Sequence, residues 1–289
     1  MDTHENVNYE ELYRYERKKS EDLEHHNTYL TAKISVLESS DNKGEKDEVM
    51  LLMSIFYENQ KKNFTKLVEM FGEEASEGVK IIDVKTREEV TAVNNLTKAG
   101  GSYKADCIIK MKKTGTTYFI SIKSKNGANP AILNHTPRTA KVFQNKGPLH
   151  HCLDALDTLL TEYISKRKNK VIGEDIKAIQ LQNIGVEETK NKFIEVLTYF
   201  AFDGTGKGDS ACKANAIIYY YHDTVTFVKC CTLEEKKHYI QTILDKVVIS
   251  LRDKGMPKKM TDICTPWVYE DCKSYGLIKY KGSLHIRLD

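Results

Sequence analysis

Asp106 is followed fifteen and seventeen positions later by Ser121 and Lys123. Around it, between Lys98 and Pro148, lie ten cations: Lys98, Lys104, Lys110, Lys112, Lys113, Lys123, Lys125, Arg138, Lys141 and Lys146. Asp106 is the one acid there, so the window carries +9 and the remaining chain −6 of the +3 total. A basic window in an otherwise acidic chain suits a polyanionic partner, nucleic acid first among them. A solvated lysine-rich surface is the plainer alternative. A carboxylate can hold a hard cation such as Mg²⁺ through oxygen. An ammonium beside it can orient water and neutralise charge building on a phosphate, which are requirements of phosphodiester hydrolysis. The same two residues would also suit an ordinary cross-strand ion pair, contributing under about 1 kcal/mol.

The flanking sequence supplies strands to position these groups. Residues 106–110 and 118–123 are apolar and β-branched, and Lys112-Lys113-Thr114-Gly115 between them is a turn, so a hairpin is expected. Alternation along the second strand puts Phe119, Ser121 and Lys123 on one face, with Asp106 opening the neighbouring strand. Elsewhere the spacing predicts helices over 8–39, 45–70, 148–167, 188–200 and 233–253. Strands are expected at 79–84 and 176–184, and hairpins at 215–229 and 277–288. The class is α/β, a mixed β-sheet flanked by helices. An N-terminal helical arm (1–44) precedes a nuclease-like catalytic core (45–230), on which a C-terminal helix and hairpin (231–289) are expected to pack as one domain. Leu23, Asn27, Leu30, Ile34 and Leu37 step by four and three, a coiled-coil spacing, although an arm packed on its own domain is the simpler expectation.

Lys104-Ala105-Asp106-Cys107-Ile108-Ile109 followed by Ser121-Ile122-Lys123 resembles the core of the PD-(D/E)xK nucleases, a superfamily that includes many type II restriction endonucleases. The likeness covers roughly residues 104–138. It implies a restriction-endonuclease-like core, Mg²⁺ as cofactor, and Asp106, Ser121 and Lys123 as catalytic positions. Ser121 stands where the family carries its second acid, and a hydroxyl is the weaker ligand. Such nucleases often supply a glutamate from the preceding helix, which makes Glu48 the candidate second metal ligand beside Asp106, with Glu88 and Glu89 as alternatives.

Polar residues near the motif are candidate DNA contacts: Lys104, Lys125, Asn126, Asn129, Asn134, His135, Arg138 and Lys141. Amides and arginine suit base edges, and cations suit phosphates. His150 and His151 suggest a cap or a surface role, because a zinc site needs more convergent ligands. Gly204-Thr205-Gly206-Lys207-Gly208 fails the P-loop pattern and reads as a loop. Seven cysteines without a Cys-x-x-Cys pair argue against a disulfide scaffold and for an intracellular, soluble setting. The expected activity is sequence-specific cleavage of double-stranded DNA by a homodimer, with the N-terminal helices as candidate dimer contacts. A non-catalytic DNA-binding protein on the same scaffold, or an interaction protein binding an acidic partner through residues 98–148, remains open.

Overall fold

The computed structural model describes residues 9–39, 41–100, 103–126, 129–134, 137–143, 146–156, 158, 178–180, 187–206, 212–222, 224–251 and 284–288. His135, Cys264, Trp267, Cys272, half of the expected 148–167 helix and most of the 277–288 hairpin lie outside them. Two compact units emerge: Met1–Lys98 with Ile109–Thr117, and Ala99–Ile108 with Tyr118–Asp289.

The first unit opens with helix α1 (Tyr9–Glu38) and α2 (Lys43–Gln60). The break between them falls where Asn42 caps α2, its side chain accepting from the Glu45 N–H at 3.0 Å. α1 packs on α2 through Ala32, which is buried, and through Tyr29, whose ring stacks on Tyr57. The helix expected over 45–70 is two helices, α2 and α3 (Phe64–Phe71). Lys62 adopts a positive φ of 56° between them, which a continuing right-handed helix forbids. Leu51, Met53, Ile55, Leu67 and Phe71 bury the inner faces of these two helices. Strand β1 (Val79–Ile82) follows.

β2 (Cys107–Met111) and β3 (Thr117–Ser124) form the expected hairpin. Its turn is closed by the Gly115 N–H donating to the Met111 carbonyl at 2.9 Å, and Gly115 takes the positive φ of 74° that the turn requires. In the second unit come β4 (Ala131–Asn134), α4 (Pro137–Phe143), β5 (Ala178–Gln180) and α5 (Glu187–Thr198). They are followed by β6 (Ala216–Tyr221), β7 (Thr224–Lys229), α6 (Leu233–Ile243), β8 (Val247–Leu251) and β9 (Leu284–Leu288).

One sheet runs β1-β2-β3-β6-β7 and is mixed, because β3 pairs parallel with β6 while β6 and β7 form an antiparallel hairpin. A second sheet, β4-β9-β8-β5, is antiparallel throughout. The architecture is therefore mixed α/β, with helices packed on strands. Phe143, Phe193, Leu197, Phe202, Ile217, Ile249 and Ile286 belong to the core of the second unit.

The second sheet corrects the expectation of a helix over 233–253. α6 starts in a capping box of Thr232 and Glu235 but stops at Ile243. Val247–Leu251 is strand instead, paired in register with Leu284–Leu288. Val247, Val248 and Ile249 are β-branched, and their spacing from Ile240 and Leu244 mimics a helical stripe. Beyond the β2–β3 hairpin, Ala131–Asn134 is strand and Pro137–Phe143 is helix.

Candidate functional site

Asp106 precedes β2 in the second unit and is bound into the start of the hairpin. Its N–H donates to the Ile120 carbonyl at 2.7 Å. Its carboxylate Oδ2 accepts the Ile122 N–H at 2.7 Å and the Ser121 hydroxyl at 3.3 Å. Among the described residues no hydrogen bond reaches Oδ1 and no ion pair closes on the carboxylate. Burial raises the Asp106 pKa above the ordinary carboxylate range. The charges of Lys123 and Lys104, then the Ile122 and Ser121 hydrogen bonds, pull the other way without cancelling it. The residue nevertheless keeps some solvent access.

Lys123 shares its strand face with Ser121, and the parallel register sets it beside Tyr219 of β6. Lys125, two positions on, places its Nζ 5.6 Å from the Tyr219 ring. The same sheet end borders a groove of about 410 Å³ whose walls include Lys125, Tyr219, Tyr221, Thr226 and Lys246. Lys104 is held by an element with no motif signal. Gly204 (φ 71°) ends the helical turn Tyr199–Asp203, and a Cβ there would come within 3.0 Å of the Lys104 Cβ. Glycine thus lets the Lys104 stem lie against the backbone, a packing need the Gly-rich run announced only as a loop.

The other expected contacts are dispersed. Asn126 is committed to the fold, its Oδ1 accepting the His222 N–H at 2.8 Å. Asn134 lies on β4, opposite His285. Asn129, Arg138 and Lys141 are exposed, the last two on α4. The basic window itself is divided: Lys98, Lys110, Lys112 and Lys113 belong to the first unit, the remaining six cations to the second. Lys98 is bound to Asp41 and donates to Glu45 at 2.8 Å. Glu48 lies partly buried on α2 of the first unit, and Glu89 pairs with Lys80 at 2.6 Å.

Magnesium takes oxygen ligands and keeps several waters. Asp106 fits that chemistry through Oδ1, a carboxylate oxygen that no hydrogen bond occupies among the described residues. Ser121 presents a second oxygen already engaged with Oδ2. A different donor set gathers where His151 and Cys152 meet Glu195 of α5, with ligand atoms within 4.8 Å of one another. Nitrogen and sulfur donors suit zinc rather than magnesium. Burial, reinforced by Glu195, pushes the Cys152 thiol up to about 12, so it stays protonated, and His151 Nε2 lies 3.0 Å from Glu195 Oε1. His150 caps locally, its Nδ1 2.9 Å from the Phe143 carbonyl oxygen.

Among the described residues, Cys107, Cys152, Cys212 and Cys230 are buried and Cys231 is exposed, and none of the five is in a disulfide. Among the described residues, no helix is long and apolar enough to cross a membrane. Comparison with protein-family models, curated proteins and solved structures gives no match to this chain.

Proposed function

We propose that this chain is a Mg²⁺-dependent endodeoxyribonuclease that hydrolyses phosphodiester bonds in duplex DNA at a specific sequence, acting as a homodimer. The observation that carries the proposal is the state of Asp106. Its Oδ2 is anchored by Ile122 and Ser121, Oδ1 accepts no hydrogen bond among the described residues, and two lysines act on the carboxylate without closing an ion pair. A purely structural pair would draw the ammonium onto the carboxylate. Here Asp106 would hold the metal through Oδ1, and bound Mg²⁺ would supply Lewis-acid activation of water and of the phosphate. Lys123 neutralises charge developing on the scissile phosphate, which is better suited to an ammonium than a base role beside an anionic carboxylate. Lys104 and Lys125 contribute cations that can meet neighbouring phosphates.

Ser121 in the second acid position favours one other reading, a DNA-binding protein that does not cut. Incubation of supercoiled DNA with wild type, Asp106→Ala and Lys123→Ala, in Mg²⁺ or in EDTA, separates the two. Nicking by wild type only, and only with metal, is the expected result. Salt-dependent retention of DNA without cleavage would leave the binding reading. A Glu48→Gln variant tests the carboxylate expected from the preceding helix.

A further inference from the structure

We propose that α1 is the homodimer interface, and that two copies of the chain join through it as a parallel, in-register two-stranded coiled coil. This rests on the two-copy part of the nuclease reading and not on its chemistry.

α1 is amphipathic twice over. The face that packs on α2 carries Tyr29, whose ring stacks on Tyr57, with Ala32 buried three residues on. The leucine stripe lies elsewhere on the helix: Leu23 is 55% exposed, Leu30 40%, Ile34 55% and Leu37 55%. Leu30 is more than half covered within its own chain, whereas Leu23, Ile34 and Leu37 keep more than half of their surface exposed, Leu23 beside a groove of about 500 Å³ that Asn94 also lines. Four large aliphatic side chains aligned on one exposed helix face are an unmet burial requirement.

The spacing and residue types specify the occupant. Leu23, Leu30 and Leu37 fall at heptad d positions, and Asn27 and Ile34 at a. A β-branched residue at a with leucine at d favours two strands, and a single Asn at a fixes register and oligomer state. In a parallel pair Asn27 meets Asn27 of the second copy, and the two amides can satisfy each other. In an antiparallel pair a positions face d positions, so Asn27 would be buried against a leucine with its amide unpaired.

Charge complementarity gives the same answer. Lys19 and Lys33 occupy g, and Glu24 and Glu38 occupy e. A parallel coiled coil sets each g residue against the e residue five positions on in the other helix. Lys19 then faces Glu24 of the second copy, and Lys33 faces its Glu38, four ion pairs in all by symmetry.

The 289-residue chain is tested by sedimentation equilibrium. Wild type is expected at twice the 33.1 kDa monomer mass. The double variant Leu30→Glu, Ile34→Glu is expected at monomer mass with unchanged far-UV circular dichroism, since both side chains are exposed. Lys33→Glu should weaken association about tenfold, and adding Glu38→Lys should restore it. With Cys231→Ser as background, Asn27→Cys should form an intermolecular disulfide under mild oxidation. Monomeric wild type, a dimer that survives Leu30→Glu with Ile34→Glu, lack of charge-swap rescue, or failure of the Asn27→Cys variant to cross-link would each overturn the proposal. Because the readout is mass and not cleavage, a monomeric nuclease and a dimer without nuclease activity give distinguishable results.

Discussion

At Lys98 an ammonium closes on two carboxylates, whereas at Asp106 two ammonium groups act on a single carboxylate without reaching it. Lys98 binds Asp41 and Glu45, and the result is mutual: the hydrogen bonds raise the Lys98 pKa and lower that of Asp41. Each charge stabilises the other in a site that water still reaches, the ordinary fate of a lysine beside an acid. Asp106 shows the opposite balance. Burial raises its pKa, and Lys123 and Lys104 offset this only in part. The strand hydrogen bonds also favour the charged form, without cancelling the effect of burial. The Ile122 N–H and the Ser121 hydroxyl hold Oδ2, so the carboxylate is fixed by the backbone and cannot swing out to meet a lysine. An acid held at a cost in solvation, next to cations it does not neutralise, is how functional sites are commonly arranged.

Removing either partner should affect the two places very differently. Asp106→Ala and Lys123→Ala should each lower the Mg²⁺-dependent nicking rate by roughly 10²-fold or more, as loss of a group acting on transition-state charge does. Retention of full activity in either would dissolve the contrast. Asp106→Asn should abolish cleavage yet raise the melting temperature at neutral pH in EDTA, because the amide keeps an oxygen for the Ile122 N–H and removes a buried charge. The sign follows from linkage. A folded-state pKa above the unfolded one means the native state holds this proton more tightly. The Asp106 contribution therefore favours folding below the unfolded carboxylate pKa and is lost as pH rises through the folded one. Thermal melts of wild type and Asp106→Asn should accordingly converge in acid and diverge toward neutral pH.

Ser121→Ala should cost less than tenfold in nicking rate, since its hydrogen bond is long at 3.3 Å and Ile122 still holds Oδ2 at 2.7 Å. Lys98→Ala should leave cleavage unchanged and lower the melting temperature only by about a degree or two, as for other exposed pairs. A large loss of activity in Lys98→Ala would make the two lysine sites alike.

Much of the local structure was legible. The β2–β3 hairpin announced itself through apolar β-branched runs around a Gly115 turn, and α1 and α2 through the separate helical stretches over 8–39 and 45–70. Alternation correctly set Ser121 and Lys123 on one strand face. Where spacing misled, long-range pairing was the cause. Val247–Leu251 satisfies a helical stripe equally well, and only β9, more than thirty residues later, makes it a strand. At the site, side-chain periodicity could not reveal that a backbone donor, the Ile122 N–H, would anchor Asp106. Nor could it reveal that Gly204, about a hundred residues from Lys104, would make room for its stem.

The order of residues determined what kinds of groups are available: a lone aspartate among cations, a hydroxyl in place of an acid, and a heptad of leucines with one asparagine. Those properties are covalent or act over a turn or two of chain. Which lysine closes on its carboxylate, and which face of α1 stays uncovered, was decided by tertiary packing. Distances of a few ångströms between segments remote in the chain set desolvation and charge interaction, and only the assembled backbone fixes those distances.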